Sequence, residues 1–160
     1  MRQMVLSILV ENSAGVLSRV AGLFSRRGYN IESLTVGVTT DPDISRMTIA
    51  CSGSEDVLNQ IKKQVAKLED VIDIQELPNN AVLRELLLVQ VHATTEQRQE
   101  VIAIADIYRA KIVDVSENSL MLELTGNVDK LKAFLELMEG FEITSIARTG
   151  LTGLARGIAD

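Results

Sequence analysis

The stretch Glu11 to Leu34, ENSAGVLSRVAGLFSRRGYNIESL, decides how the rest of the chain folds. An apolar strand from Val5 to Val10 runs into Asn12-Ser13-Ala14-Gly15, and apolar residues then recur at helical spacing at Val16, Val20, Leu23 and Phe24. A helix therefore begins near Gly15 and ends before Gly28, a residue type that typically follows a helix terminus. Its first N–H groups lack intrahelical partners, and the helix dipole leaves that end partly positive. Two readings of Asn12 to Gly15 stand side by side: ordinary capping by Asn or Ser, or docking of a small carboxylate. Gly15, with no Cβ, lets a ligand approach the backbone, and the Asn12 amide offers donors and an acceptor suited to an α-amino acid.

Residues 3 to 10 alternate as a strand should, and residues 30 to 39 alternate again, with Leu34, Val36 and Val38 on one face. Asp41-Pro42-Asp43 makes a turn into a third strand lined by Met47, Ile49 and Cys51. Ser54 caps a helix carrying Val57, Ile61, Val65 and Leu68, and Val71 to Leu77 closes a βαββαβ unit, the ferredoxin-like order. Leu77-Pro78-Asn79-Asn80 marks a boundary, beyond which the order repeats. Leu86 to His92 is a strand, Thr94 and Gln97 suit a capping box, and Val101, Ile104, Ala105 and Tyr108 form a helix face. A hairpin over Lys111 to Leu124 follows. Asn127 caps a helix carrying Leu131, Phe134, Leu135 and Met138, and Phe141 to Arg148 is the last strand. The fold class is thus α+β, with two tandem ferredoxin-like domains at residues 1–77 and 81–160. The second helix entrance, HATTEQ from His92 to Gln97, has no glycine and carries a Glu that would repel a carboxylate, so a carboxylate site belongs to the first half alone. The glycine-rich tail from Gly150 is expected to be loosely ordered unless a partner holds it.

Sixteen basic against 22 acidic residues give a net charge of −6, with no Trp, three Phe and two Tyr. That balance lacks both the basic footprint and the stacking rings of a nucleic-acid binder. The single cysteine, Cys51, excludes an intrachain disulfide and a four-cysteine metal site, and fits a reduced cytoplasmic setting. It falls on the apolar face of its strand and reads as a small core residue. The short apolar run before Glu11 reads as a strand and not as a signal peptide, and no apolar segment approaches the ~20 residues that span a bilayer. His92 is the sole histidine, so no His cluster is available for a metal, and no set of groups converges for catalysis. Arg26 and Arg27 are cations at a helix carboxyl end, which the dipole favours.

The strings ENSAGVLSR, RRGYNIESL and SRMTI (Ser45 to Ile49) resemble the small, regulatory subunit of acetolactate synthase (acetohydroxyacid synthase), whose N-terminal half is an ACT domain. The resemblance runs along nearly the whole chain. It implies effector contacts at Asn12, Ala14, Gly15, Val16, Asn30 and Ile31, shared between two chains whose sheets meet edge to edge with the first helices side by side. It implies a homodimer that activates a large catalytic subunit and confers feedback inhibition by a branched-chain amino acid, valine foremost. Thiamine diphosphate, magnesium and FAD would belong to that catalytic partner, and no cofactor or catalytic residue to this chain. Two competing readings are a stand-alone ACT-type amino-acid sensor and an acylphosphatase-like enzyme, which shares the βαββαβ order.

Overall fold

The computed structural model describes residues 1–157. They form two compact units: residues 1–82 together with the described residues from 151 onward, and residues 83–150.

In the first unit, strands β1 (Arg2–Glu11), β2 (Ser33–Val38), β3 (Ile44–Gly53) and β4 (Val71–Glu76) form an antiparallel sheet in the order β2-β3-β1-β4. Helices α1 (Val16–Arg26) and α2 (Glu55–Ala66) supply the apolar stripes that cover it. The register pairs Leu6 with Ile49 and Ile8 with Met47. This places Met4, Leu6, Ile8, Met47, Ile49 and Cys51 together against Val20, Phe24, Leu58, Ile61 and Val65. A slip of one residue would turn every one of those side chains away from the helices, so the apolar pattern itself fixes the pairing. Burial in this core pushes the Cys51 thiol up to about 11.

The second unit repeats the arrangement. Strands β5 (Val82–His92), β6 (Lys111–Val115), β7 (Ser119–Gly126) and β8 (Glu142–Arg148) lie in the order β6-β7-β5-β8. Helices α3 (Thr95–Tyr108) and α4 (Val128–Leu137) pack Val101, Ala105, Leu131 and Phe134 onto Leu87, Val89, Leu122 and Leu124. The α3 entrance is a full capping box, with Thr94 Oγ1 accepting from the Gln97 N–H and Gln97 Oε1 from the Thr94 N–H. Ser54 caps α2 and Asn127 caps α4 by the same kind of bond. Glu85, nearly buried, is held by a two-pronged bond from Arg148, Nε to Oε1 at 2.7 Å and Nη2 to Oε2 at 3.2 Å.

The tail departs from expectation. After Gly150, whose φ of +88° reverses the backbone, Leu151 is buried, at 4 % exposure. Its N–H donates to Ser33 Oγ at 2.6 Å, and its carbonyl accepts from Thr35 Oγ1 at 2.9 Å. A short strand β9 (Thr152–Leu154) follows, and Arg156 Nε donates to the Asn80 carbonyl at 2.6 Å. The segment from Leu151 to Gly157 is therefore a strap on the first unit. The cause is that an apolar anchor and two hydroxyls on β2 satisfy both the side chain and the amide of Leu151. The remainder of the expectation for the tail, residues 158–160, lies outside the described residues. The second compact unit accordingly ends at Gly150, where the sequence division runs on to residue 160.

Candidate functional site

β1 delivers the chain to the entrance of α1, and the backbone there is held from outside the helix. The Glu11 N–H donates to the Asp70 carbonyl at 3.0 Å, and the Asn12 N–H to the Asp43 carbonyl at 2.8 Å. Asn12 Nδ2 donates to the Pro42 carbonyl at 2.9 Å, so the side chain grips the β2–β3 turn and does not cap the helix. Its Oδ1 stays available as an acceptor.

The residue at the N-cap position is Gly15, with φ +84° and no side-chain cap bond. Of the two readings of this entrance, side-chain capping does not occur: the Val16 N–H reaches the Ser13 carbonyl at 3.5 Å, and no side chain caps the entrance of α1. Glycine is required here because φ is in the left-handed region. The space its missing side chain leaves is taken by the Arg19 guanidinium, since a Cβ on Gly15 would come to 2.9 Å of Arg19 Nη1. Arg19 is ion-paired with Asp70, a hydrogen bond that raises its pKa. A cation thus sits beside the positive end of a helix, an arrangement that favours a carboxylate. Sequence reasoning missed Arg19, yet the signal was present: it stands four residues after Gly15, one helical turn away.

At the far end of α1 the chain turns through a Schellman motif, with the Gly28 N–H donating to the Ser25 carbonyl at 3.1 Å and the Tyr29 N–H to the Phe24 carbonyl at 2.9 Å. Gly28 has φ +71°, and the Tyr29 ring packs edge-on against Phe24 with centroids 6.3 Å apart. Asn30 follows, exposed, and Ile31 packs half-buried against the first core.

The six residues therefore form two groups. Asn12, Ala14, Gly15 and the buried Val16 stand at the amino end of α1; Asn30 and Ile31 stand beyond its carboxyl end. An 11-residue helix separates them by roughly 16 Å, more than a small amino acid can bridge.

Elsewhere the chemistry is sparse. His92 is exposed, with Nδ1 3.7 Å from Glu142 Oε2. Asp41 and Asp43 belong to a turn in which Asp41 Oδ1 accepts from the Asp43 N–H at 2.9 Å. Among the described residues no group of three or more His, Cys, Asp or Glu side chains is arranged to hold a metal ion, and no helix is long and apolar enough to cross a membrane.

Two family profiles match consecutive parts of the chain, one described as an AHAS small subunit-like ACT domain over residues 6–73, the other as the small subunit of acetolactate synthase over residues 84–157. A relative named probable acetolactate synthase small subunit, from Archaeoglobus fulgidus, is 50% identical over 152 residues, covering 95% of this chain and 96% of its own. The acetolactate synthase isozyme 3 small subunit of Escherichia coli is 49% identical over 155 residues, 96% of this chain and 95% of its own. The crystal structure of the acetolactate synthase small subunit from Thermotoga maritima superimposes with a TM-score of 0.91 at 38% identity, covering 99% of this chain and all of that one.

Proposed function

We propose, from the premise that this chain belongs to the acetolactate synthase small-subunit family and carries an ACT domain at its N-terminus, that it regulates a catalytic subunit in response to a branched-chain amino acid. The chain activates the large subunit of acetolactate synthase and makes it sensitive to valine. Thiamine diphosphate, magnesium and FAD reside on that partner, in the cytoplasm, and this chain contributes no catalytic group.

Asn12, Gly15 and Arg19 of one protomer hold the carboxylate and ammonium of valine, and Asn30 with Ile31 of a second protomer closes the other side. The observation that carries this reading is the separation of the two groups by the length of α1 within one chain, together with a helix entrance left uncapped in the first unit and capped by Thr94 and Gln97 in the second. A ligand that needs both groups must bind a pair of chains. β2 supplies a means of pairing, because it is an edge strand with Val36 and Val38 exposed on it at 49 % and 62 %. Ligand bound across such a seam favours one arrangement of the dimer by the difference in its affinity for the two, which is the coupling free energy that regulation requires.

The test is to mix the purified chain with the catalytic subunit and measure acetolactate formation with and without valine. Asn12→Ala and Asn30→Ala should each retain activation and lose valine sensitivity. Loss of activation with sensitivity retained would refute the assignment.

A further inference from the structure

Ser45 to Ile49 contains one residue that neither the core nor the effector seam uses. Arg46 alternates with the buried Met47 along β3, so its side chain lies on the sheet face turned away from the helices, and in register it pairs with Leu9 on one side and Gly37 on the other. Its guanidinium donates to Oγ of the buried Ser7, and no carboxylate among the described residues lies within ion-pair distance of it. Arg46 is half-buried, so this charge is partly removed from water without an anion opposite.

Gly37 is the second observation. Glycine inside a strand weakens it and commonly marks a place where a ligand or another backbone comes close. Nothing in the local backbone calls for it, because Gly37 is not among the glycines with positive φ. A Cβ built on Gly37 would meet nothing within 4 Å. The missing side chain therefore leaves a gap directly beside Arg46. That gap belongs to a groove of about 430 Å³ whose floor is β2 and β3 and whose far wall is the strap at Thr152 to Leu154. Thr40, Thr48 and Thr152 add hydroxyls around it, and none of the six effector residues lines it.

We infer that this groove is a second small-molecule site, which takes a compact oxyanion, carboxylate or phosphate, on the Arg46 guanidinium. The planar fork of Arg matches either group through two parallel N–H bonds, and threonine hydroxyls donate to the remaining oxygens. The volume lies within the range of metabolite pockets and exceeds what a bare ion fills. A ligand here touches β2, β3 and the strap together, so its binding also holds the strap against the sheet.

The test is calorimetric titration of the full chain with succinate and, separately, with pyrophosphate, in wild type and in the variants Arg46→Gln and Gly37→Val. The first variant removes the charge; the second fills the gap with a residue that suits strands and leaves the charge in place. Saturable binding of one probe to the wild type is expected, weakened at least about tenfold in each variant, with an unchanged far-UV circular dichroism spectrum and a cooperative thermal transition in both as the measure that they remain folded. Whichever probe binds identifies the group as carboxylate or phosphate. Failure of both probes to saturate, or equal binding by wild type and Gly37→Val, overturns the inference. So does a Gly37→Val chain that changes its oligomeric state while the wild type binds neither probe, since the gap would then serve a neighbouring backbone.

Discussion

Replacing Leu151 by Ala tests the strap where it is most strongly anchored. Leu151 is 4 % exposed, and its amide and carbonyl are both bonded to β2 hydroxyls. A buried Leu→Ala change costs about 2–5 kcal/mol, and a site beside an open groove can relax, so the lower part of that range, about 2–3 kcal/mol, applies. In a unit of this size each kcal/mol lowers the melting temperature by about 4–8 °C, giving a fall of roughly 8–24 °C for the first unit's transition. Hydrogen exchange read by mass spectrometry locates the effect. Peptides over β2, residues 33–38, should lose protection while those over 95–148 keep theirs. Ser33→Ala should follow the same pattern at about 1–3 kcal/mol, because it leaves the buried Leu151 N–H without its acceptor. Since Asn30 and Ile31 lead directly into β2, valine binding should weaken in the same order as β2 protection. A loss under about 0.5 kcal/mol, the ordinary range for surface substitutions, would refute the reasoning. Protection lost from residues 95–148 with 33–38 unchanged would do the same.

Other perturbations bear on other parts of the structure. Gly15→Ala forces a Cβ against Arg19 at φ +84°, so it should cost about 1–2 kcal/mol in thermal unfolding and weaken valine binding by calorimetry. Arg19→Gln removes the cation without touching the backbone, and it should weaken valine binding with little change in melting temperature. Because burial raises the Cys51 thiol to about 11, alkylation of the native chain at pH 8 should be slow and should accelerate only on unfolding, as followed by mass spectrometry. The same shift has a defined sign for stability: unfolded Cys51 ionises from about pH 9 while the folded thiol stays protonated, so this contribution is present below pH 9 and is lost as pH rises from there toward 11. Arg2 holds the Glu55 carboxyl below its ordinary value through their hydrogen bond, so its contribution is present above the ordinary carboxylate range and disappears as pH falls through and below it. The stability difference between wild type and Arg2→Gln should accordingly shrink in acid, as read by denaturant titration at stepped pH.

What was legible in the sequence was what short-range chemistry decides. Ser54, Thr94 and Asn127 each act within three residues along the chain, and each caps the helix its spacing marks. The strand faces follow from a period of two, which is why Met47, Ile49 and Cys51 lie in the core that their alternation indicates. The strap was not legible, because the groups that order Leu151 sit on Ser33 and Thr35, more than a hundred residues away. Asn12 shows a subtler limit. Its residue type suits a cap, yet its Nδ2 donates to the Pro42 carbonyl, which ties the side chain to the β2–β3 turn, and the N-cap position falls to Gly15. The position of Gly15 was readable, but its left-handed backbone and the cation above it become apparent only when Arg19 is placed one turn along α1.

The claim on which the functional account turns is that effector groups from two chains meet at one site. Co-folding equal amounts of Asn12→Ala and Asn30→Ala chains tests it most directly. Each homodimer lacks half of every site, whereas a mixed dimer rebuilds one complete site from the unchanged Asn30 of one chain and the unchanged Asn12 of the other. Random pairing makes half the dimers mixed, so valine titration should recover about one quarter of the wild-type sites at wild-type affinity. A mixture that binds no more valine than either variant alone would contradict the account.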